Sequence, residues 1–439
     1  MSRLLHGLFW LALYFLLLLS PLFLMLLPPT PVPRAFLTEL SAAIGFISLM
    51  QIGLQFVLIA RFRPVTEPYG IDIILQYHRQ IGLGSLLLIT AHAAIAISTN
   101  PVILGRLFDA GSGGSALLSG LGAALAFVLL VVLSLARQRL RLGYEAWRIS
   151  HALLGIAMIG LAVTHVAQVG IYVNAGWKRG LWTGFAVLVI AVLVYLRLLH
   201  PALQKATSYR VVSVDRDRGR TWILGVEPEG HPGMRFLPGQ FVYLKLGSSP
   251  HTIQEHPFSF SSSGETPDRL EFGIKELGDF TSTIGATPLG TNAYLDGPHG
   301  SMSIDIYPAA GYVFVAGGIG VTPIVSMLRA MADRGDARPN LLIYADGAWD
   351  DMPFRDDLEA LAQRMTLDVV HVLERPPEGW RGETGRVTAE LLARCLPDER
   401  IQRDFFVCGP NAMIDSVETA LAGLGIASRF IHAERFTLV

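Results

Sequence analysis

The sequence predicts a multi-domain membrane protein: a six-helix transmembrane bundle, then an antiparallel β-barrel domain, then an α/β domain with a doubly wound parallel sheet. Three observations predict it. Of the 439 residues, 51% are hydrophobic and only 16% charged, where a soluble protein carries about a quarter. The charge is divided, with 13 Lys/Arg against 5 Asp/Glu in residues 1–200 and 22 against 31 in residues 201–439. The hydrophobic pattern also changes along the chain, from long apolar runs to short β-type runs and then to alternating strands and helices. The expected domains are 1–204, 205–305 and 306–439, within the usual domain size of roughly 100–200 residues.

Six apolar stretches have spanning length, at about 7–27, 36–60, 76–98, 117–136, 147–170 and 180–200. The first is too long for the apolar core of a signal peptide and is followed by no small-residue cleavage site, so it reads as a membrane helix. An even number of crossings returns the chain to its starting side. Placing the N-terminus inside puts nine arginines there (Arg3, Arg61, Arg63, Arg79, Arg137, Arg139, Arg141, Arg148 and Arg197). Outside remain four basic residues, Arg34, Arg106, Lys178 and Arg179. The positive-inside rule favours this orientation, with the later domains cytoplasmic and the helices in the cell inner membrane. The Gly/Ser-rich stretch 111–120 is expected to be an outer loop, and His200-Pro201 to end the last helix.

Beyond Ser208, strands are expected at Tyr209–Val214, Thr221–Val226, Gln240–Leu246 and Arg269–Ile274, separated by turn residues. From Tyr312 on, strands at Val313–Ala316, Leu341–Tyr344, Leu367–Val372 and Phe405–Val407 alternate with helices at Ile324–Arg334, Arg355–Arg364, Thr388–Arg394 and Ala412–Leu424. Cys395 and Cys408 match no zinc or disulfide spacing.

Four histidines fall inside the apolar stretches, His78 and His92 in the third, His151 and His165 in the fifth. Within each pair the spacing is the same. It advances a helix by about 21 Å and returns to nearly the same face, roughly 40° short of whole turns. Both helices run in the same direction, so His78 faces His151 and His92 faces His165. Histidine in hydrocarbon marks function, and imidazole is an axial ligand of haem iron. Two bis-histidine b-type haems are the expected cargo. Gly82, Ser85, Gly155 and Ala162 are expected to leave room for them, and Met158 to lie midway between. Arg79 and Arg148 are candidates either to neutralise haem propionates or to act as topology signals.

In the barrel region the order is Pro238-Gly239-Gln240-Phe241, then His256-Pro257-Phe258-Ser259, then Lys275 to Thr281, then Asp296-Gly297-Pro298-His299-Gly300. An aromatic and a hydroxyl at an edge strand suit a flavin ring. Gly278 and Thr281 are expected to open a helix whose free N–H groups face a pyrophosphate. Next, Gly317-Gly318-Ile319-Gly320-Val321-Thr322-Pro323 follows a strand, where glycines let backbone approach a phosphate. Cys408-Gly409-Pro410 ends a later strand at the same edge, beside the expected nicotinamide.

These motifs together resemble the ferredoxin-NADP reductase superfamily. With six helices and two histidine pairs in front, the chain resembles the ferric reductase/NADPH oxidase family. The resemblance implies that His78, His92, His151 and His165 are haem ligands, and that Phe258 and Ser259, preceded by His256 and Pro257, contact FAD. It implies Lys275, Gly278 and Thr281 at the FAD phosphates, and Gly317, Gly318, Gly320, Thr322, Cys408, Gly409 and Pro410 at the NAD(P)H site. It also implies that Phe436, in Glu434-Arg435-Phe436, covers the flavin. The sequence departs from the family pattern where Thr437-Leu438-Val439 follow that aromatic, and where Ala96 stands in place of a further histidine of animal oxidases.

The expected activity is electron transfer from cytosolic NAD(P)H through FAD and two haems to an outer acceptor. Oxygen, giving superoxide, is favoured. The alternatives are a ferric chelate, or a quinone or periplasmic protein fed by an electron-transfer subunit. A nucleic-acid partner is not expected, and an obligate protein partner is not indicated. The segment Tyr344–Asp350 is acidic where a 2′-phosphate would need basic groups, which favours NADH or dual use.

Overall fold

A computed structural model describes residues 3–108, 112–398 and 400–436. The chain divides into two compact units, Met1–Leu199 and His200–Val439.

Among its described residues the first unit holds six helices long and apolar enough to cross a membrane. They are Arg3–Leu26, Phe36–Leu58, Ile71–Thr99, Ser112–Leu135, Tyr144–Val169 and Gly176–Val194. Helices suit such sequences because every backbone N–H and C=O between the caps is bonded within the segment, as hydrocarbon demands. Leu49, Ile52, Phe56, Phe127, Leu130 and Met158, from the second, fourth and fifth helices, form the bundle's core. Leu16, Leu87 and Leu125 are among many large apolar side chains left on its outside, the surface that lipid covers.

Two expectations at the helix ends are corrected. The fourth helix begins at Ser112, so 112–120 is helix rather than outer loop, its small residues packing against the fifth helix; position 111 lies outside the described residues. Pro201 does not end helical structure. A π-turn at Tyr195–Leu199 precedes a short α-helix, His200–Gln204. The missing proline N–H falls in that helix's first turn, where it needs no acceptor.

The second unit contains two six-stranded sheets. The first is antiparallel, in the order β4-β3-β6-β1-β2-β5. Its strands are β1 (Tyr209–Arg216), β2 (Thr221–Pro228), β3 (Phe241–Leu246), β4 (His256–Ser259), β5 (Leu270–Lys275) and β6 (Asn292–His299). It curls until its edges meet at the bridge between Phe260 and Phe272. Val242 and Leu244 point into its core with Leu224, Phe260 and Phe272. The alternate residues Phe241, Tyr243 and Lys245 therefore face outward. Across the sheet Phe241 is the register partner of Ser259 on β4 and of His299 on β6. That row of three residues reappears at the candidate site.

The second sheet is parallel throughout, in the order β10-β9-β8-β7-β11-β12. Its strands are β7 (Tyr312–Gly317), β8 (Asn340–Asp346), β9 (Leu367–Leu373), β10 (Glu383–Thr384), β11 (Asp404–Cys408) and β12 (Ile431–Glu434). The order reverses between β7 and β11, which creates the crevice where such sheets bind ligands. Packed helices include Val321–Asp333, Arg355–Ala362, Ala389–Cys395 and Asn411–Gly423.

The two sheets are tied together by polar contacts that no motif announces. Arg329 donates to the Ser261 carbonyl and Glu271 at 3.0 Å and to Asp357 at 2.6 Å. Ser326 donates to the Ser262 carbonyl at 2.8 Å. The helix after the glycine loop is thus clamped to the strand that continues from the His256–Ser259 motif.

Candidate functional site

In the membrane unit the four histidines meet as two pairs. The ring centres of His78 and His151 are 6.2 Å apart, and those of His92 and His165 are 6.3 Å apart. An imidazole nitrogen bonds a metal at about 2 Å, so one ion held between two such rings needs ring centres roughly 6 Å apart. Both pairs have that spacing.

Each ring is oriented by a neighbouring helix. His78 Nδ1 lies 2.7 Å from Gln55 Oε1, and His151 Nδ1 lies 3.1 Å from Ser134 Oγ. His92 Nδ1 is 2.8 Å from the Ser41 carbonyl, and His165 Nδ1 is 2.8 Å from the Ala116 carbonyl. A carbonyl oxygen only accepts, so in these last two rings Nδ1 carries the proton and Nε2 keeps its lone pair. The Ser134 hydroxyl donates to the Leu130 carbonyl at 2.8 Å, which leaves its lone pairs to accept from His151. The third helix is thus oriented by the second and the fifth by the fourth.

Sequence reasoning missed these supports: Ser41, Gln55, Ala116, Ser134 and two glycines. A Cβ on Gly45 would lie 3.0 Å from the His92 ring, and one on Gly120 would lie 2.8 Å from His165 Nδ1. The Nδ1 edge of each ring lies close against bare backbone. The available signal was Gly45 and Gly120 in apolar helices, which carries little weight without the fold.

Of the four small residues expected to leave room, Gly82 does. A Cβ there would meet no atom within 4 Å. At Gly155 a Cβ would be in ordinary contact with Phe56 Cζ, at 3.4 Å, and Ala162 is partly buried against the bundle core. Ser85 and Met158 are both buried, Met158 in the bundle core.

In the second unit, β4 brings His256 onto Phe280, stacked at 4.3 Å, with Phe258 beside the same ring at 6.2 Å. Gly278 caps only a single turn, Asp279–Ser282. The Leu277 and Gly278 N–H groups, which precede that turn, donate to Thr281 Oγ1 at 2.8 and 2.9 Å. The hydroxyl is spent on holding the turn.

The glycines of the β7 loop serve different ends. Cβ atoms on Gly317 and Gly320 would strike Pro410, Met413 and the Cys408–Gly409 backbone, so these two let the β7 and β11 loops touch. Gly318 has φ 54 and open surroundings, its nearest neighbours being Asp346 Oδ2 at 3.9 Å and Lys275 Nζ at 4.0 Å from a Cβ. Burial raises the Asp346 carboxyl above its ordinary range, opposed by Lys275. Its Oδ2 has no hydrogen-bond partner within the described residues. Thr322 is buried and donates to the Ile319 carbonyl at 2.8 Å.

Cys408 is fully buried at the end of β11. Burial, helped by the Glu434 carboxylate, pushes its thiol well up. Phe436 is 37% exposed and meets Phe241 edge-on at 5.5 Å. An exposed aromatic against Phe241 of the Ser259–Phe241–His299 row suits a flat conjugated ring, and the glycine-lined crevice between β7 and β11 suits a dinucleotide.

Comparison with known proteins agrees. Residues 44–162 match the family described as the ferric reductase like transmembrane component, residues 224–303 an FAD-binding domain and residues 314–419 an oxidoreductase NAD-binding domain. The stachydrine N-demethylase reductase subunit of Rhizobium meliloti is 30% identical over 46% of this chain and 58% of its own. NADH-cytochrome b5 reductase 1 of Pyricularia oryzae is 29% identical over 41% and 59%. The reductase component of propane 2-monooxygenase from Rhodococcus jostii is 29% identical over 52% and 62%. The chain spans less than two thirds of the length of each of these relatives. Fold and matches together describe a chain with six membrane-length helices followed by FAD-binding and oxidoreductase-type NAD-binding domains. Joining a ferric-reductase-like transmembrane component to those two domains gives the chain the architecture of the ferric reductase/NADPH oxidase family.

Proposed function

We propose that the protein carries electrons from NADH or NADPH on the cytoplasmic side of the inner membrane to an acceptor on the far side, with oxygen reduced to superoxide. The observation that carries this reading is the two imidazole pairs, each at metal-sandwiching distance with its second nitrogens tied to adjacent helices. The inward bias of arginines supports the orientation.

When bound, FAD would take a hydride from the nicotinamide and release single electrons, and two b-type haems would conduct them through the bilayer. His78 with His151, and His92 with His165, would each present a pair of Nε2 lone pairs. His256, Pro257, Phe258 and Ser259 would line the flavin ring, with Lys275, Gly278 and Thr281 near its phosphates. The crevice residues Gly317, Gly318, Gly320, Thr322, Gly409 and Pro410 would hold the nucleotide, Cys408 would lie beneath the nicotinamide, and Phe436 would cover the flavin and swing aside. The partnerless Oδ2 of Asp346 suits a ribose hydroxyl and repels a 2′-phosphate, which favours NADH.

With both Nε2 atoms of each pair holding the iron, an outer acceptor would be reduced without binding the metal. Among the polar groups of the outer end, Lys178 is held by the Leu27 and Pro29 carbonyls at 2.7 and 3.1 Å, and Arg34 is paired with Glu39. Gln168 Oε1 accepts from Ser119 at 2.8 Å, which leaves its amide hydrogens as donors for developing negative charge.

The test is cytochrome c reduction by the detergent-solubilised protein with NADH and FAD, with and without superoxide dismutase. Dismutase-sensitive reduction is expected. Rapid ferric citrate reduction under argon, with no dismutase effect in air, would instead establish a ferric-chelate reductase.

A further inference from the structure

We propose that His299 is the proton acceptor of the flavin site, with Asp296 balancing the charge it gains; this rests on the flavin reading above. The two residues bracket the Asp296-Gly297-Pro298-His299 end of β6. The His299 side chain is 3% exposed, and neither ring nitrogen has a hydrogen-bond partner among the described residues. Buried polar atoms are seldom left so, and those that are tend to be completed by a ligand or water. Histidine is also the side chain whose charge changes most readily near neutral pH.

Position gives this partnerless ring its meaning. His299 is the register partner of Phe241, whose other partner is Ser259. Phe241 is also the ring against which Phe436 rests. The imidazole therefore belongs to the outward-facing row on which the flavin reading depends. Its own ring contacts are aromatic, Phe241 at 5.9 Å and Tyr243 at 5.7 Å.

Asp296 and, by its ring contact, Tyr243 adjoin it, and His200 and Glu434 lie one neighbour further on. Asp296 Oδ1 stands 3.5 Å from His299 Nε2. The same oxygen stands 3.7 Å from His200 Nε2, whose side chain is 31% exposed. Glu434, on β12, reaches Gly300, where a Cβ would lie 2.6 Å from its Oε1. His299, Asp296 and His200 thus form a line from the buried row to a solvent-accessible imidazole.

The chemistry requires such a line. Hydride transfer delivers two electrons and one proton together, while the membrane domain accepts electrons alone. One proton per nucleotide must therefore leave as the electrons do. His299 would take it as the flavin N–H bond breaks and an imidazole N–H bond forms, giving an imidazolium beside the Asp296 carboxylate. His200 would pass it to solvent, and the two electrons would go one at a time to the membrane-side acceptor.

The test is a redox titration of the bound flavin at a series of pH values, in the full-length protein and in its His299→Gln and Asp296→Asn variants. The wild-type midpoint potential, plotted against pH, should bend where an imidazole titrates. The bend should vanish in His299→Gln and move to lower pH in Asp296→Asn, because removing the carboxylate destabilises the imidazolium. Rapid mixing at pH 7 should show flavin reoxidation slowed about tenfold or more in His299→Gln. A histidine that only fills space would leave the titration unchanged, so identical curves for the three proteins overturn the proposal. Should His299→Gln fail to hold FAD, Asp296→Asn decides alone, and an unshifted bend overturns it. If NADH does not reduce the wild-type flavin at all, it is the flavin reading that fails.

Discussion

His92 and His165 face each other with ring centres 6.3 Å apart, and each hands its Nδ1 proton to a backbone carbonyl of an adjacent helix, that of Ser41 or Ala116. Backbone cannot be mutated away, so the tautomer at this pair is built into the helix packing. The inner pair uses side chains for the same purpose, Gln55 and Ser134, and is open to mutational test.

Replacing His92 by Leu should abolish haem binding at the outer pair and leave the inner one occupied. Pyridine-haemochrome quantification should give one haem per chain instead of two, still reducible with NADH. Two intact low-spin haems in His92→Leu would refute the pairing.

Gly120→Val should displace the His165 ring, because even a Cβ would lie 2.8 Å from Nδ1. Overpacking of this kind costs about 1–3 kcal/mol. The outer haem should be lost or shifted to high spin, with a lowered Tm, while the Gly82→Ala control, where a Cβ meets nothing within 4 Å, should retain both.

Phe436→Ser should strengthen nicotinamide binding or raise charge-transfer absorbance, since the ring that competes for the flavin face is gone. Titration of the oxidised protein with NAD+ and NADP+ measures both. No change in either would count against the covering role.

NADH should be preferred or used about equally with NADPH. Asp346 lies at the end of β8, and the nearby Arg375 is paired with Asp351 at 3.7 Å while Arg355 stacks over Trp349 at 4.3 Å. Steady-state kcat/KM for both donors is the measurement. A preference for NADPH above about a hundredfold, roughly 2.7 kcal/mol, would overturn this.

The Cys408 thiol is pushed well up by burial and by Glu434, so it stays protonated through the working range. The pH profile of flavin reduction should show no thiolate limb between about pH 6 and 9, and Cys408→Ser should leave its shape unchanged. In native protein, iodoacetamide should label Cys395, which is partly exposed, before Cys408. A thiolate limb abolished by Cys408→Ser would contradict the assignment.

Composition and periodicity determined the membrane helices, most strands of the two sheets and the facing of the histidines, because these depend on local repeats: apolar length, a period of two, and equal spacing on parallel helices; β6, β10 and β12 were not read as strands. The strands β1, β2, β3 and β5 were legible to within two residues at their ends for the same reason. What orients the histidines was not legible. Ser41, Gln55, Ala116 and Ser134 lie on other helices, and a carbonyl acceptor has no residue type to betray it. The glycines of the β7 loop look alike in sequence, yet two are needed for loop-to-loop contact and only Gly318 opens outward, a distinction made by Met413 and Pro410 from a distant segment. Pro201 read as a stop, but a widened turn upstream absorbed it. The row Ser259–Phe241–His299 exists only because three strands distant in sequence adopt one register. Tertiary structure alone decides which side chains share a face once the chain has folded back on itself, since no local pattern encodes a neighbour supplied by another segment.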